Sequence, residues 1–268
     1  MANESTTKNP TATWRYVIPN AVTSASLVLG LGVLAVATQG EFELAGWLMV
    51  WCVLLDKLDG TFARLLGASS KFGAQLDSLA DMVVFGVVPA GTTLLLLRAR
   101  PDLMAPWLGR ELLMYAMLSL FAVCASLRLA KFNVLADEDG PPVFFGLPTT
   151  VTGGILALLL LIGLDHQMIL LLRVLPVLAL ILGLLMVSNI VLPKIGHSSG
   201  LFMQVFRAVT IGLCYVFGFM RVFPEYLLGI SLFYILTGIV LGLLRRDELL
   251  SGKGPEDGAD LDLEPQPG

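Results

Sequence analysis

Eight apolar stretches divide the chain, at roughly 17–38, 43–66, 73–97, 110–134, 149–165, 167–190, 204–222 and 224–245. Each is close to the ~20 residues an α-helix needs to cross the hydrocarbon core of a bilayer. The fifth is the shortest, and only Asp165-His166 separates it from the sixth. That junction reads as a tight hairpin or as one broken segment, which gives eight helices or seven. Residues 1–14 are polar, and Trp14, Arg15 and Tyr16 form an expected interfacial anchor. Residues 247–268 are acidic, rich in Gly and Pro and without apolar periodicity, so they read as a disordered tail. The predicted fold class is all-α: a polytopic membrane helix bundle over 15–246, of about eight transmembrane helices.

Composition sharpens that picture. The chain of 268 residues is 56% hydrophobic and 14% charged, with a mean hydropathy of +0.82. A soluble domain carries about 25% charged residues, so a soluble globular protein is excluded. The net charge of −4 says little, because much of it sits in the tail. Cys52, Cys124 and Cys214 all fall in apolar stretches and read as small buried hydrophobes. No cleavable signal peptide is evident, since the first apolar run is long enough to span. The basic residues set the orientation. With the N-terminus inside, twelve Lys and Arg lie on the cytoplasmic side and five on the other: Arg98, Arg100, Arg110, Arg173 and Arg221. That bias favours both termini in the cytoplasm.

One region breaks the apolar rule. Asp56, Asp59, Asp77 and Asp81 lie within 26 residues. Asp56 and Asp59 are three apart, and Asp77 and Asp81 four apart, so each pair shares a helix face. Eight residues separate Arg64 from Gly73, enough to leave one helix, turn and enter the next. Two helices in antiparallel contact would point four carboxylates at one place. Carboxylates inside a membrane are costly and need partners. So few adjacent cations call for a divalent metal, and an all-oxygen site suits Mg²⁺ or Mn²⁺. Lys57 reads as a snorkelling surface lysine.

The spacing Asp56-x2-Asp59-Gly60-x2-Ala63-Arg64-x8-Gly73-x3-Asp77-x3-Asp81 resembles the signature of the CDP-alcohol phosphotransferases, with all eight fixed positions present. The resemblance implies a six-helix catalytic core within the bundle and transfer of a phosphatidyl group from a CDP-linked lipid to an alcohol, releasing CMP. It implies that Asp56, Asp59, Asp77 and Asp81 hold a two-metal site and that Asp81 is also the general base. Gly60 and Gly73 would admit the nucleotide close to helix backbone, Ala63 would keep that face shallow, and Arg64 would pair with a phosphate or a carboxylate. A homodimer is implied as well. His166, in a short outer turn, and His197 have no lysine two residues on, so direct in-line transfer without a covalent intermediate is expected.

Other stretches bear on the acceptor. Pro19-Asn20-Ala-Val-Thr23, Phe85-Gly-Val-Val-Pro89-Ala90, Arg128-Leu-Ala-Lys131-Phe-Asn133, Phe144-Phe-Gly146-Leu-Pro148 and Met186-Val-Ser188-Asn189 resemble the membrane-integral CDP-diacylglycerol–serine O-phosphatidyltransferases. The substrates implied are CDP-diacylglycerol and L-serine, with Asn20 and Thr23 on the CDP-lipid. Arg128, Lys131 and Lys194 can supply a cation for the serine carboxylate, and Asn133 or Ser188 an acceptor for its ammonium. Choline would want an aromatic cage, and only Phe132, Phe144 and Phe145 are near. Glycerol 3-phosphate or an inositol compound stays open. A transporter fits less well, because its carboxylates would sit near the midplane in matching repeats. Membrane lipids are the expected partners and nucleic acid is not. The expected location is a bacterial inner (plasma) membrane, with the active site facing the cytoplasm.

Overall fold

The computed structural model describes residues 13–66, 70–137, 143–193 and 201–244. The polar N-terminal segment 1–12, Lys194, His197 and the acidic tail therefore lie outside the described residues.

Helix α1 (Thr13–Thr38) turns into α2 (Phe42–Leu66), and the two pack along one another. Helix α3 (Lys71–Asp81) continues through a π-helical turn, Met82–Val87, into α4 (Val88–Ala99). A short α5 (Pro101–Met104) and a 3-10 turn lead to α6 (Glu111–Asp137). Strand β1 (Val143–Phe145) precedes α7 (Thr149–Asp165), and α8 (Ile169–Val187) precedes strand β2 (Val191–Pro193). Helices α9 (Leu201–Met220) and α10 (Pro224–Leu244) follow. Every predicted span is a helix, and the third is the composite of α3, the π-turn and α4. Val17–Thr38, Lys71–Ala99, Glu111–Leu135, Ile169–Val187 and Pro224–Leu244 are long and apolar enough to cross a membrane. Helix α7 and the second half of α9 are apolar but shorter. The chain is an integral membrane protein built as a helix bundle.

Helix α7 is the centre of that bundle. It is apolar on all sides, which marks a helix surrounded by protein, and from Thr149 to Gly163 only Val151 and Leu159 are not buried. It packs on α2, α8, α10 and the π-turn. Small residues let the backbones close in: a Cβ on Gly46 of α2 would stand 2.7 Å from the Leu161 side chain.

The seven-or-eight question is settled at residues 166–168. Gln167 takes a left-handed φ of 50°, and α7 and α8 are separate helices. His166 is exposed, as a residue in a short outer turn should be, and it also has a partner. Its Nε2 lies 2.6 Å from Glu225 Oε1, joining the α7–α8 turn to the start of α10, and that carboxylate holds the imidazole above its usual pKa. At the other face, β1 and β2 form a two-stranded antiparallel ribbon, with Phe145 opposite Val191. Gly146 anchors it, with φ +73° and its N–H donating to Ile190 O at 2.9 Å. A Cβ there would run into the Met186 carbonyl oxygen, so only glycine fits.

The helix ends predict a labelling pattern. Gln39 closes α1 and Ser70 caps α3, one helix length apart across α2. Gln39→Cys should react with an impermeant thiol reagent from one side of the membrane only, and Ser70→Cys from the other only. Labelling of both from one side would contradict this bundle.

Candidate active site

The site draws on the second half of α2 and the last turns of α3. Asp56, Asp77 and Asp81 come together there, with one oxygen of each carboxylate within 4.8 Å of the others. All three are half-buried. Asp59, Ala63 and Arg64 ride on the last turns of α2, and their side chains are outside the described residues. Gly60 is half-buried, and Lys57 is exposed, as a snorkelling lysine should be.

The carboxylate helices meet in an unexpected way. Direct antiparallel contact of α2 with α3 was the expectation. Among the described residues the two touch little, and both pack on α1 instead. The carboxylates still meet across the gap, with Asp56 hydrogen-bonded to Asp81. The first turns of α1 also enter the site. Asn20 Oδ1 lies 3.0 Å from where a Cβ of Gly73 would be, so Asn20 and Gly73 adjoin. Thr23 is buried and donates to Pro19 O at 3.1 Å. The start of α3 is capped by Ser70, whose Oγ accepts from Gly73 N–H at 2.9 Å.

The end of α6 carries the cations. Arg128 donates to Thr149 Oγ1 at 3.3 Å and lies over the Phe132 ring, 5.4 Å from its centroid. Its charge acts on Asp81 and Asp56. Lys131 turns toward the ribbon instead. It donates to Asn189 Oδ1 at 2.8 Å and lies 5.2 Å from the Phe145 centroid. Asn133 Nδ2 donates to Ser78 Oγ at 3.0 Å and so ties α6 to α3 beside Asp77. Ser188 caps its own helix, donating to Leu185 O at 2.7 Å.

Two residues that the sequence reading passed over complete the first ring of contacts. Thr149 and Thr150 open α7, both buried, with Thr149 on Arg128 and Thr150 hydrogen-bonded to Asp56. The available signal was a hydroxyl pair behind Pro148 at the head of an otherwise apolar helix. Nothing in the sequence marks Asn189 as the partner of Lys131.

This donor set suits a hard divalent cation. It offers carboxylate oxygens from two helices and no imidazole or thiolate, as Mg²⁺ and Mn²⁺ prefer. Three carboxylates against Arg128 and Lys57 leave a negative excess that such a cation would offset.

Comparison with known proteins agrees in region and length. Residues 16–191 match the profile of the family described as CDP-alcohol phosphatidyltransferase. The chain is 34% identical over 185 residues to a CDP-diacylglycerol–serine O-phosphatidyltransferase of Helicobacter pylori strain J99, covering 67% of this chain and 73% of that protein. A protein of the same name from Methanocaldococcus jannaschii is 35% identical over 190 residues, covering 70% and 79%. One from Mycobacterium tuberculosis strain H37Rv is 36% identical over 138 residues, covering 49% and 44%.

Proposed function

The chain belongs to the CDP-alcohol phosphatidyltransferase family, and we propose that it transfers the phosphatidyl group of CDP-diacylglycerol to L-serine, releasing CMP. An enzyme of this family generally uses divalent metal ions, and the convergence of Asp56, Asp77 and Asp81 beside Arg128 is the observation that carries the reading here. The relatives' names support serine as the acceptor.

In this reading Asp56, Asp59, Asp77 and Asp81 would hold two Mg²⁺ or Mn²⁺ ions. When bound, they would neutralise the diphosphate and stabilise the departing CMP. Gly60, Ala63, Arg64 and Gly73 form the face that receives the nucleotide, with Asn20 and Thr23 at its edge. Asp81 takes the proton of the serine hydroxyl as its oxygen attacks the phosphorus bearing diacylglycerol. The bond from that phosphorus to the CMP oxygen breaks, and the pair leaves with CMP. Arg128 holds the serine carboxylate, placed by Thr149 and Phe132. Lys131, Asn133 and Lys194 assist from the same side. The catalytic domain is residues 15–246, between the polar segment 1–14 and the tail 247–268. The site faces the cytoplasm, as the excess of basic residues at that end supports. A homodimer is part of the proposal, to be checked by cross-linking in the membrane.

The test is an acceptor screen on the purified chain, with CDP-diacylglycerol, Mn²⁺ or Mg²⁺ and a panel of alcohols. Serine should drive CMP release, chelation should abolish it, and either metal should restore it. Release driven by choline, glycerol 3-phosphate or an inositol compound instead would reject serine and keep the chemistry. Full activity after exhaustive chelation would reject the metal site.

Asp81→Asn should lower turnover by about a hundredfold or more, since general-base catalysis typically supplies 10²–10⁴-fold. Binding of the CDP-lipid, measured separately, should change far less. Retention of more than about a hundredth of wild-type turnover would remove Asp81 from that role.

Arg128→Ala should raise the KM for serine about tenfold or more, the equivalent of losing one charged hydrogen bond of roughly 1.5–3 kcal/mol. The KM for CDP-diacylglycerol should move little. An equal change in both would assign Arg128 to the diphosphate or to folding.

A further inference from the structure

We infer that the π-helical turn Met82–Val87 sets the angle at which Asp77 and Asp81 enter the carboxylate cluster, and that Gly153 of α7 is the positioning residue for that turn. The inference rests on the metal-site reading above and concerns residues that reading does not use.

The widened turn starts directly after Asp81. The Met82 N–H still reaches the Ser78 and Leu79 carbonyls, as in an ordinary α-helix. The Val88 N–H reaches Val83 O, five residues back. One extra residue in a turn rotates everything before it by about 100° relative to everything after it. Downstream, α4 buries Val88, Pro89, Thr92, Thr93 and Leu96 against the core. Upstream, α3 must present Asp77 and Asp81 to Asp56. A plain helix through 82–87 would satisfy one of these faces and turn the other away. The π-turn reconciles them.

A wide turn needs something to hold it. Val84, Phe85 and Gly86 are buried, and three helices press on them. A Cβ on Gly30 of α1 would lie 3.1 Å from Val84 Cγ2. One on Gly86 would lie 3.0 Å from Ala125 Cβ of α6. The tightest approach is from α7, where a Cβ on Gly153 would stand 2.8 Å from Phe85 O, 2.9 Å from its Cβ and 3.0 Å from its Cα. Two of those three are backbone atoms and cannot swing aside.

The two closest clamps are one helical turn from the site. Ala125 precedes Arg128 by three residues, and Gly153 follows Thr150 by three. Arg128 acts on Asp81 and Asp56, and Thr150 bonds Asp56. The helices that grip the π-turn therefore also carry the groups that face the carboxylates. Displacing Gly153 from Phe85 shifts Asp77 and Asp81 relative to Asp56.

The experiment reads metal binding rather than turnover. The purified full chain in lipid nanodiscs is titrated with Mn²⁺, and free Mn²⁺ is followed by its EPR signal, with unfolding temperature measured in parallel. Gly153→Ala should weaken Mn²⁺ binding about tenfold or more, the range for lost support around metal ligands. Gly163→Ala is the control: same helix, same substitution, and a Cβ that runs into the Leu172 side chain far from the site. It should lower the unfolding temperature and leave Mn²⁺ affinity unchanged. Gly86→Ala covers the case in which Gly153→Ala does not fold. It should weaken Mn²⁺ binding by a smaller factor, and the added Ala125→Gly should restore it by removing the methyl group it meets. Wild-type affinity in a folded Gly153→Ala or Gly86→Ala chain overturns the inference. A wild-type chain that fails to bind Mn²⁺ saturably overturns the metal reading itself, a result the variants cannot mimic.

Discussion

Electrostatic crowding at the meeting of α2 and α3 governs this protein. Asp56, Asp77 and Asp81 bring oxygens within 4.8 Å of one another in an otherwise apolar bundle. Two like charges at 4 Å repel by about 4 kcal/mol at an effective dielectric constant near 20. Three carboxylates against Arg128 and Lys57 need further compensation. The architecture answers in several ways at once. Helices α2 and α3 lean on α1 instead of each other. Thr150 bonds Asp56, and Arg128 is steered toward the cluster by Thr149. The remaining negative charge is what makes the place suit a divalent cation and, with it, a diphosphate.

That crowding also accounts for what was legible in the sequence. Carboxylates three and four residues apart are a local pattern, and helical geometry alone puts each pair on one face. The apolar runs are local too, and each became a helix with ends close to those expected. What local spacing does not encode is which third element stands between two others. The role of α1 as the surface for both acidic helices was not readable, because nothing in Asn20 or Thr23 says that α3 lies against it. The π-turn was hidden for a related reason. Met82–Val87 looks like any apolar helix, and only the demand that α4 and α3 face different ways reveals the extra residue.

The proposed acceptor side was the least legible part. Arg128 and Lys131 are three residues apart, which suggested one shared pocket. Their contacts diverge, Arg128 toward Thr149 at the head of α7 and Lys131 toward Asn189 beside the β-ribbon. Asn133 faces a third direction, toward Ser78. Each choice depends on where α7 and α8 end in space. Those ends depend in turn on Gly146, whose left-handed backbone and contact with Met186 O dock the ribbon.

The way the site-end cations Arg128 and Lys131 are held bears on the acceptor. At the far end Arg100 pairs with Asp102 at 2.9 Å, and His166 lies against Glu225 and Asp165. Arg173 there donates to the Asp102 carbonyl. At the site end, Arg128 and Lys131 are oriented by a hydroxyl, an amide and two aromatic faces. Neutral partners fix a cation in place without cancelling its charge. An acceptor that carries a carboxylate next to its hydroxyl could then settle among aspartates that would otherwise repel it, because a buried anion needs a fixed cation nearby. An uncharged alcohol would gain nothing from such an arrangement, and choline would be opposed by it. The same neutral orientation thus supports serine over those acceptors on physical grounds separate from any likeness of sequence.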